Sequence, residues 1–453
     1  MDIKELYGHF LSSAGVSTDS RSIRGGELFI GLKGENFDGG DYALKALSDG
    51  AVLAVVDSSS PAAASGDPRI VAVPDTLETL RQLARYHREH SFVNGERLTV
   101  IGLTGTNGKT TTKNLITRVL SRKFHVTATE GNLNNDIGVP LSLLKINPST
   151  EIAVIEMGAS HPGDIARLTE VAEPDYGLIT KVGKAHLLGF GSFEGVKKAK
   201  GQLYDWILGH GKAVFVNVDD EVLKGMASER AGLETIPYGI DESGAIVLPS
   251  DPSHPFLRMA VPSEDGEKDG EETLLGIETH LVGSYNASNV MAAIAVGRYF
   301  GVSLEDAIAA VDEFVPENSR SQMMRCGSNT VIADAYNANP SSMAAALDNF
   351  SLVEASRKAV LLGDMRELGE DSLKEHEAVV KRLAAIPLDL VCLVGEEFGK
   401  AVEAVGPVQG MKLFKTSVEL AGWLKENPLN DTVVLVKGSR GIQMEKAIEA
   451  LSR

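Results

Sequence analysis

A glycine-rich segment that follows an apolar run constrains the fold of this chain more than any other feature of its sequence. Residues 104–112 read TGTNGKTTT, and they follow the apolar run at 98–103. The apolar run predicts a β-strand, and the residues after the glycines have the spacing of a helix. In such a strand–loop–helix unit, backbone N–H groups and the helix N-terminus bind phosphate. The segment therefore predicts a parallel α/β domain that binds a nucleoside triphosphate.

Individual residues of this phosphate loop have expected roles. Lys109 is long enough to reach the outer phosphates, and the Thr110 hydroxyl is placed to ligate Mg²⁺. The loop is a variant of the usual motif, because Leu103 stands where a glycine is expected and the glycine lies at 102. The residues predicted to contact the nucleotide here are Gly105, Thr106, Asn107, Gly108, Lys109, Thr110 and Thr111.

A carboxylate at the end of a neighbouring strand is expected to share the metal ion. The apolar run at 152–155 predicts a strand, and Glu156 follows it directly. Phosphate-loop enzymes commonly hold Mg²⁺ with an acidic residue in this place. The sequence therefore predicts Glu156 as a Mg²⁺ ligand, and the alternative is a strand-end charge that points into solvent.

Short apolar runs alternate with segments of helical spacing along most of the chain, which predicts parallel sheets covered by helices. At about 150 residues per domain, 453 residues predict three domains. We expect an N-terminal domain at 1–95, a central domain at 96–314 and a C-terminal domain at 315–453. The predicted strands are 98–103, 152–155, 177–179, 213–218, 331–333, 359–362, 390–394 and 433–436, and a helix is predicted at 76–90.

The composition excludes several classes of protein. The chain has 44 basic and 62 acidic residues and a net charge of −18, which excludes a protein that coats nucleic acid. No apolar run approaches the 18 or so residues that a membrane span needs, and the first residues lack a signal-peptide pattern. The two cysteines, Cys326 and Cys392, exclude a disulfide framework. We expect a cytoplasmic protein without membrane insertion.

The charge is unevenly distributed along the chain. Residues 97–129 contain six basic residues and no acidic one, and residues 181–200 contain five lysines against one glutamate. The first of these acid-poor stretches contains the phosphate loop. In contrast, residues 264–272 contain six acidic residues, and we expect them to form a solvated loop or hairpin tip.

Three histidines invite a metal interpretation. His186 follows a predicted strand, but a single histidine is more often an ordinary hydrogen-bonded residue. His87 and His90 lie three positions apart on a predicted helix, without a third ligand nearby in the sequence. We expect this pair to lie on the surface.

Motifs spread over the chain identify it as similar to a known family. The loop GTNGKTT is followed by EGNLNNDIGVP at 130–140, EMGASHPGDI at 156–165, KAHLLGFGS at 184–192 and KAKG at 198–201. This ordered set resembles the ATP-dependent Mur ligases. The further motifs in the same order are GSYNASN at 283–289, DAYNANPSSM at 334–343, LGDMRELGE at 362–370 and KGSRG at 437–441, with DSRSIRGGELFIGLKGENFDGGDY at 19–42 near the start.

The resemblance implies a fold and a reaction. It implies an N-terminal α/β domain for a UDP-sugar, a central phosphate-loop ATPase and a Rossmann-like C-terminal domain. The motifs DAYNANP, GNLNND and FIGLKGENFDG are most similar to family members that join D-alanyl-D-alanine to UDP-N-acetylmuramoyl-tripeptide. In that reaction ATP phosphorylates the tripeptide carboxylate, and the dipeptide amine then displaces phosphate. We accordingly expect those two substrates, ATP, two Mg²⁺ sites and a monomeric enzyme.

The resemblance also assigns roles to individual residues. Lys109, His186 and Lys200 are expected to be catalytic, and Thr110, Glu156, His186 and Lys200 to hold or adjoin magnesium. Lys200 resembles a lysine that is carbamylated in the family, whereas a phosphate-contacting lysine is the alternative. Further nucleotide contacts are expected at Asn289, Arg320, Asp334 and Asn337, and substrate contacts at Ser20, Arg21, Phe29, Lys33, Asn134 and Asn135. For Phe29 the alternative is core packing.

Other functions stay open at this point. Another Mur ligase or a folylpolyglutamate synthetase would use the same acyl-phosphate chemistry on a different acceptor. A phosphate-loop module that only holds or hydrolyses nucleotide is a different class, and it would need neither a Lys200-type site nor a separate C-terminal arginine. Three positions depart from the family pattern, namely Gln202, Ser319 and Ala333. The motifs leave open whether the third residue of the tripeptide is diaminopimelate or lysine.

Overall fold

The computed structural model describes residues 1–34, 37–249, 254–268, 271–317 and 320–452. Three main sheets follow one another along these residues, each with helices against it. The predicted α/β fold with parallel sheets is confirmed. Each apolar run predicted to be a strand coincides with one, to within two residues at either end. Strands buried on both faces of a parallel sheet are continuously apolar, which is why these runs were readable.

The N-terminal elements form a parallel sheet of four short strands. They are α1 (Ile3–Leu11), β1 (Val16–Ser17), β2 (Leu28–Ile30), α2 (Ala43–Ser48), β3 (Leu53–Asp57), β4 (Ile70–Val73), α3 (Thr76–Glu89), β5 (Phe92–Val93) and β6 (Glu96–Arg97). The strand order is β1-β2-β3-β4, and β5 pairs with β6 in a small hairpin. Helix α3 matches the helix predicted from the sequence, and Asp75 caps it by accepting the Glu78 N–H at 2.9 Å.

The central elements form a six-stranded parallel sheet. They are β7 (Thr99–Thr104), α4 (Lys109–Leu120), β8 (Val126–Ala128), α5 (Gly138–Leu143), β9 (Ile152–Glu156), α6 (Asp164–Ala172), β10 (Tyr176–Ile179), α7 (Leu187–Phe190), α8 (Phe193–His210), β11 (Ala213–Asn217), α9 (Glu221–Ser228) and β12 (Thr235–Tyr238). The order is β12-β11-β10-β7-β9-β8. Strand β7 therefore lies between β10 and β9, so the residues that follow these three strands meet at one edge.

An antiparallel unit and two helices complete the central part of the chain. They are β13 (Ile246–Leu248), β14 (Arg258–Lys268), β15 (Glu271–Glu278), α10 (Ala287–Tyr299) and α11 (Leu304–Asp312). Helix α10 packs against α4. The acidic run at 264–272 spans the paired ends of β14 and β15, as predicted for a hairpin, and residues 269–270 lie outside the described residues.

The C-terminal elements form a second six-stranded sheet, which is parallel except for its first strand. They are β16 (Gln322–Cys326), β17 (Asn329–Asp334), α12 (Pro340–Ser351), β18 (Lys358–Gly363), α13 (Ser372–Leu383), β19 (Leu390–Val394), α14 (Glu396–Val405), β20 (Met411–Phe414), α15 (Ser417–Glu426), β21 (Val433–Lys437) and α16 (Glu445–Leu451). The order is β16-β17-β21-β18-β19-β20, and β16 runs antiparallel to β17. Cys326 and Cys392 are both free and buried.

A buried arginine joins helix α3 to the central sheet. Arg88 is fully buried and donates to Asp175 Oδ2 at 2.8 Å and to the Ala172 carbonyl at 3.2 Å. The same carboxylate oxygen accepts the Val100 N–H of β7 at 2.8 Å. Burial lowers the pKa of Arg88 to about 10, against the opposing charge of Asp175. These contacts fix the N-terminal sheet to the central one.

The prediction that His87 lies on the surface is wrong. Its side chain is buried at the same junction, where Nε2 donates to the Ile146 carbonyl at 2.8 Å and Nδ1 faces the Tyr7 hydroxyl at 3.2 Å. Burial lowers the pKa of His87. The helical spacing of the two histidines could not reveal this, because the partner residues lie on other elements. His90 is exposed, as predicted.

Candidate functional site

The phosphate loop has the backbone that anion binding requires. It connects the end of β7 to the first turn of α4, and Gly108 adopts a left-handed conformation with φ of 81°. A Cβ at Gly108 would lie 2.6 Å from Asn289 Oδ1, and one at Gly105 would collide with the Thr180 hydroxyl. Glycine is therefore required at both positions by close approach as well as by conformation.

The side chain of Lys109 folds back onto this loop. Its ammonium donates to the carbonyl oxygens of Gly105 at 2.8 Å and of Thr106 at 3.3 Å. Burial lowers the pKa of Lys109, the carboxylate of Glu156 opposes that shift, and Arg320 adds to it. The ammonium of Lys109 is thus held by the loop backbone, near the charges of Glu156 and Arg320.

Glu156 lies beside Thr110 at the floor of the site. Its carboxylate is 1% exposed, so the solvent-facing alternative is excluded. Oε2 accepts the Thr110 hydroxyl at 3.0 Å, and Oε1 accepts the Asn134 amide at 2.8 Å. A carboxylate and a hydroxyl are hard oxygen donors, which suit Mg²⁺. Within the described ranges no three acidic, histidine or cysteine side chains form a metal cluster. Mg²⁺ commonly completes its coordination with water molecules or phosphate oxygens.

His186 and Lys200 flank this floor. His186 precedes α7, and its Nδ1 contacts the carboxylate of Glu367, which follows β18 in the C-terminal domain. Burial lowers the pKa of His186, and Glu367 opposes the shift. Lys200 on α8 is 2% exposed, with Nζ 3.5 Å from the Ala159 carbonyl. Burial lowers the pKa of Lys200 well below its usual value, with a further contribution from Lys109.

The C-terminal sheet contributes a second set of charged groups. Asp334, at the end of β17, accepts the buried Lys437 ammonium at 2.5 Å. The Arg320 guanidinium lies 3.6 Å from the centre of the Tyr336 ring, and Arg440 donates to the hydroxyl of that tyrosine at 2.8 Å. Sequence reasoning gave no role to Lys437, because its partner is about a hundred positions away in the chain.

Amide side chains connect the phosphate loop to its surroundings. Asn107 and Asn339 exchange hydrogen bonds of 2.7 and 3.4 Å between the central and C-terminal sheets. Asn289 accepts the Thr112 hydroxyl at 3.0 Å and donates to Asn286 Oδ1 at 2.8 Å. The loop is therefore contacted from α10 and from the C-terminal sheet at once.

One cleft of about 800 Å³ collects most of the predicted residues. Gly105 and Lys200 are adjacent to the cleft without lining it. Asn132 and Lys437 are lining residues that had no predicted role. The predicted residues that line it are Thr106, Asn107, Gly108, Lys109, Thr110, Thr111, Asn134, Asn135, Glu156, His186, Asn289, Arg320, Asp334 and Asn337.

The predicted N-terminal contacts lie elsewhere. Arg21 is exposed and pairs with Asp19 at 2.7 Å, and Lys33 donates to the Ser59 hydroxyl at 2.9 Å. Ser20 is 9% exposed. The expected contact at Phe29 is not supported, because its side chain is 1% exposed and packs in an apolar cluster between β2 and α2. The core-packing alternative accounts for Phe29.

Together, the fold and the cleft define a phosphate-loop α/β protein whose site lies between a central and a C-terminal domain. Three family models match this chain, and the residue ranges that they match correspond to the three main sheets. "Mur ligase family, catalytic domain" matches residues 13–88, "Mur ligase middle domain" matches 103–297, and "Mur ligase, glutamate ligase domain" matches 319–440. Among the described residues no helix is long and apolar enough to cross a membrane.

Curated relatives match over nearly the whole chain. UDP-N-acetylmuramoyl-tripeptide–D-alanyl-D-alanine ligase of Bacillus subtilis is 34% identical over 448 residues, covering 96% of this chain and 93% of that protein. The enzyme of the same name from Escherichia coli is 32% identical over 453 residues, covering 99% and 95%. The chain belongs to the Mur ligase family.

Solved structures agree with this assignment. MurF from Acinetobacter baumannii superposes with a TM-score of 0.82 at 29% identity, covering 96% of this chain and 93% of that one. MurF ligase from Thermotoga maritima in complex with ADP gives 0.81 at 26% identity, covering 98% of each chain. A folylpolyglutamate synthase from Mycobacterium tuberculosis, at 15% identity and a TM-score of 0.62, shares the fold.

Proposed function

We propose that this chain is an ATP-dependent ligase that joins D-alanyl-D-alanine to UDP-N-acetylmuramoyl-tripeptide through an acyl phosphate. The observation that carries the proposal is the shared cleft, in which Lys109 and Glu156 of the central domain face Arg320 and Asp334 of the C-terminal domain. Curated ligases that are named for this reaction align with more than nine-tenths of this chain. A module that merely holds nucleotide does not need a second domain at its phosphate loop.

In the first step, a carboxylate oxygen of the tripeptide attacks the γ-phosphorus of ATP. The bond from that phosphorus to the β–γ bridging oxygen breaks, and ADP leaves. Two negatively charged groups must approach each other, so fixed positive charge is needed where they meet. Lys109 of the central domain and Arg320 of the C-terminal domain both line the cleft and are proposed to supply it. Asn289, Asp334 and Asn337 are proposed to hold the nucleoside.

In the second step, the amine of D-alanyl-D-alanine attacks the carbonyl carbon of the acyl phosphate. The bond between that carbon and the phosphate oxygen breaks, phosphate leaves, and the nitrogen gives up a proton as the amide forms. Asn134 and Asn135 line the cleft where the acyl group would lie. Ser20, Arg21 and Lys33 are proposed to hold the UDP portion.

Magnesium fits the residues at the floor of the cleft. Thr110, Glu156 and His186 are proposed to hold two ions, and bound Mg²⁺ would offset phosphate charge. A protonated lysine has no lone pair for a metal. The buried Lys200 amine, with its lowered pKa, is suited to react with CO₂, losing a proton to give a carbamate that can contribute to the second site. The protein is further proposed to act as a monomer in the cytoplasm.

An acceptor panel tests the proposal. The purified chain is incubated with ATP, Mg²⁺ and the nucleotide tripeptide in its diaminopimelate or lysine form, and released phosphate is measured. We expect phosphate release to require the tripeptide and to be driven to completion by D-alanyl-D-alanine. Equal release with D-glutamate, L-glutamate or L-lysine would point to another ligase of the same fold, and release without any acceptor would point to a nucleotide hydrolase.

A further inference from the structure

A contact between the two domains lies directly at one proposed metal ligand. His186 belongs to the central domain, and its Nδ1 contacts the carboxylate of Glu367, which belongs to the C-terminal domain. The backbone repeats the connection, because the Leu188 N–H donates to the Glu367 carbonyl at 3.1 Å. The C-terminal domain therefore contacts the segment that carries His186 through both the side chain and the backbone of Glu367.

Both residues of this contact have an unusual backbone. His186 has φ of 50° and Glu367 has φ of 64°, and neither is a glycine. Left-handed backbone at larger residues persists when the surroundings enforce it, and it concentrates at functional sites. Here the His186 carbonyl accepts the N–H groups of Gly189 and Phe190 at the start of α7.

The Glu367 segment is held firmly within its own domain. The Met365 N–H donates to Nε2 of the fully buried His376 at 3.0 Å, and the Arg366 N–H donates to the Ser439 hydroxyl at 2.9 Å. Glu367 itself is not part of a core, because its side chain is 58% exposed. A fixed backbone that presents an exposed carboxylate is suited to contact another domain.

The chemistry of the pair indicates what the contact does. A carboxylate at Nδ1 favours the tautomer with hydrogen on Nδ1, which leaves the lone pair on Nε2. Histidines that bind metals commonly donate their second N–H to a carboxylate in this way, and this partner fixes the ring and raises its basicity. His186 lines the same cleft as Thr110 and Glu156.

We propose that Glu367 is a positioning residue for His186, so that docking of the C-terminal domain completes the metal site of the central domain. This inference rests on the proposed function, in which His186 holds a metal ion. It makes metal affinity depend on domain docking, and by thermodynamic linkage it makes docking depend on the metal.

Metal binding by the full-length chain tests the proposal. Mn²⁺ is titrated into wild type, H186N, E367A, E367Q and E367D with free Mn²⁺ followed by electron paramagnetic resonance, and the nitrogen coupling of bound Mn²⁺ is recorded. We expect H186N to remove the nitrogen coupling, E367A to weaken binding by about 10-fold or more, and E367D to recover part of the loss. Because Glu367 is largely exposed, the three Glu367 variants should keep the wild-type Tm.

A neighbouring pair provides the control. Lys184 donates to Glu375 at 2.7 Å, so E375Q removes another contact between the same segment and the same domain. E375Q should keep Mn²⁺ affinity within twofold of wild type. Wild-type affinity and nitrogen coupling in E367A would overturn the proposal, as would equal losses in E367A and E375Q or unchanged binding in H186N. A wild-type chain that binds Mn²⁺ as expected but forms no amide would instead contradict the proposed function.

Discussion

At the scale of single residues, the site depends on charged groups removed from water. Glu156, Lys200 and Lys437 are each 2% exposed or less. A buried charge is costly unless it is paired, neutralised or used. Glu156 is hydrogen-bonded and Lys437 is paired with Asp334, whereas Lys200 has a carbonyl at 3.5 Å. Lys200 is therefore the residue of this group whose environment most favours a chemical change.

Replacing Lys109 should remove activity without unfolding the chain. K109A deletes the cation that is proposed to face the transferred phosphate, and we expect kcat to fall by about 1,000-fold. Phosphate release in the presence of the nucleotide tripeptide and D-alanyl-D-alanine measures the effect. K123A is the matched control, because Lys123 contacts surface carbonyls at 300 and 301. Activity within tenfold of wild type in K109A would contradict its role.

Replacing Lys200 should cause a loss that a small acid repairs. In K200A the proposed carbamate is missing, and acetate or formate can occupy the space that the side chain leaves. We expect a loss of about 100-fold or more and partial recovery with added acid. K198A, an exposed lysine on the same helix, should keep wild-type activity and show no response. Full activity in K200A would refute any role for this lysine.

At the scale of elements, burial decided what could be predicted. The inner strands of the two larger sheets could be predicted because each is a continuous apolar run. Their edge strands, β8, β12, β16 and β20, are partly exposed and were not predicted. The two-residue strands β1, β5 and β6 were not, because they are too short for a pattern. The hairpin of β14 and β15 was missed as strands because charged residues occupy much of it. In the site, the phosphate loop was local in sequence, whereas the Lys437–Asp334 and His186–Glu367 pairs join distant segments.

The junction of α3 with the central sheet should depend on Asp175. D175A removes the acceptor for the buried Arg88 and for the Val100 N–H. Breaking a buried pair from one side commonly costs about 3 to 5 kcal/mol, and we expect a loss of about 3 kcal/mol in the free energy of unfolding. Urea unfolding measures it. D49A breaks the exposed pair with Lys45 and should cost less than about 1 kcal/mol; equal losses would contradict the account.

The same junction should weaken in mild acid through His87. Burial lowers the pKa of His87 in the folded chain, and an unfolded histidine titrates near pH 6.5. As the pH falls below about 6.5, the unfolded chain binds a proton that the folded chain does not, so stability falls. We expect the free energy of unfolding between pH 7.5 and 5.5 to change less in H87Q than in wild type. H90Q, on the exposed side, should behave as wild type, and an unchanged slope in H87Q would exclude His87.

At the scale of the whole molecule, a few contacts join the three main sheets. The N-terminal sheet is fixed to the central one by Arg88, and the C-terminal sheet reaches the phosphate loop through Asn339 and His186 through Glu367. The length of the chain predicted three domains, but the residues that connect them carry no local pattern. The cleft therefore follows from the arrangement of domains rather than from any one motif.

Transfer of oxygen from the tripeptide to phosphate tests the central claim most directly. The nucleotide tripeptide is labelled with ¹⁸O at both oxygens of its terminal carboxylate. After a complete reaction with ATP and D-alanyl-D-alanine, the mass of each product is measured by mass spectrometry. The proposed route predicts a pentapeptide that retains one labelled oxygen and inorganic phosphate that carries the other. Unlabelled phosphate, or phosphate release without a pentapeptide, would contradict the claim that this cleft forms an acyl phosphate.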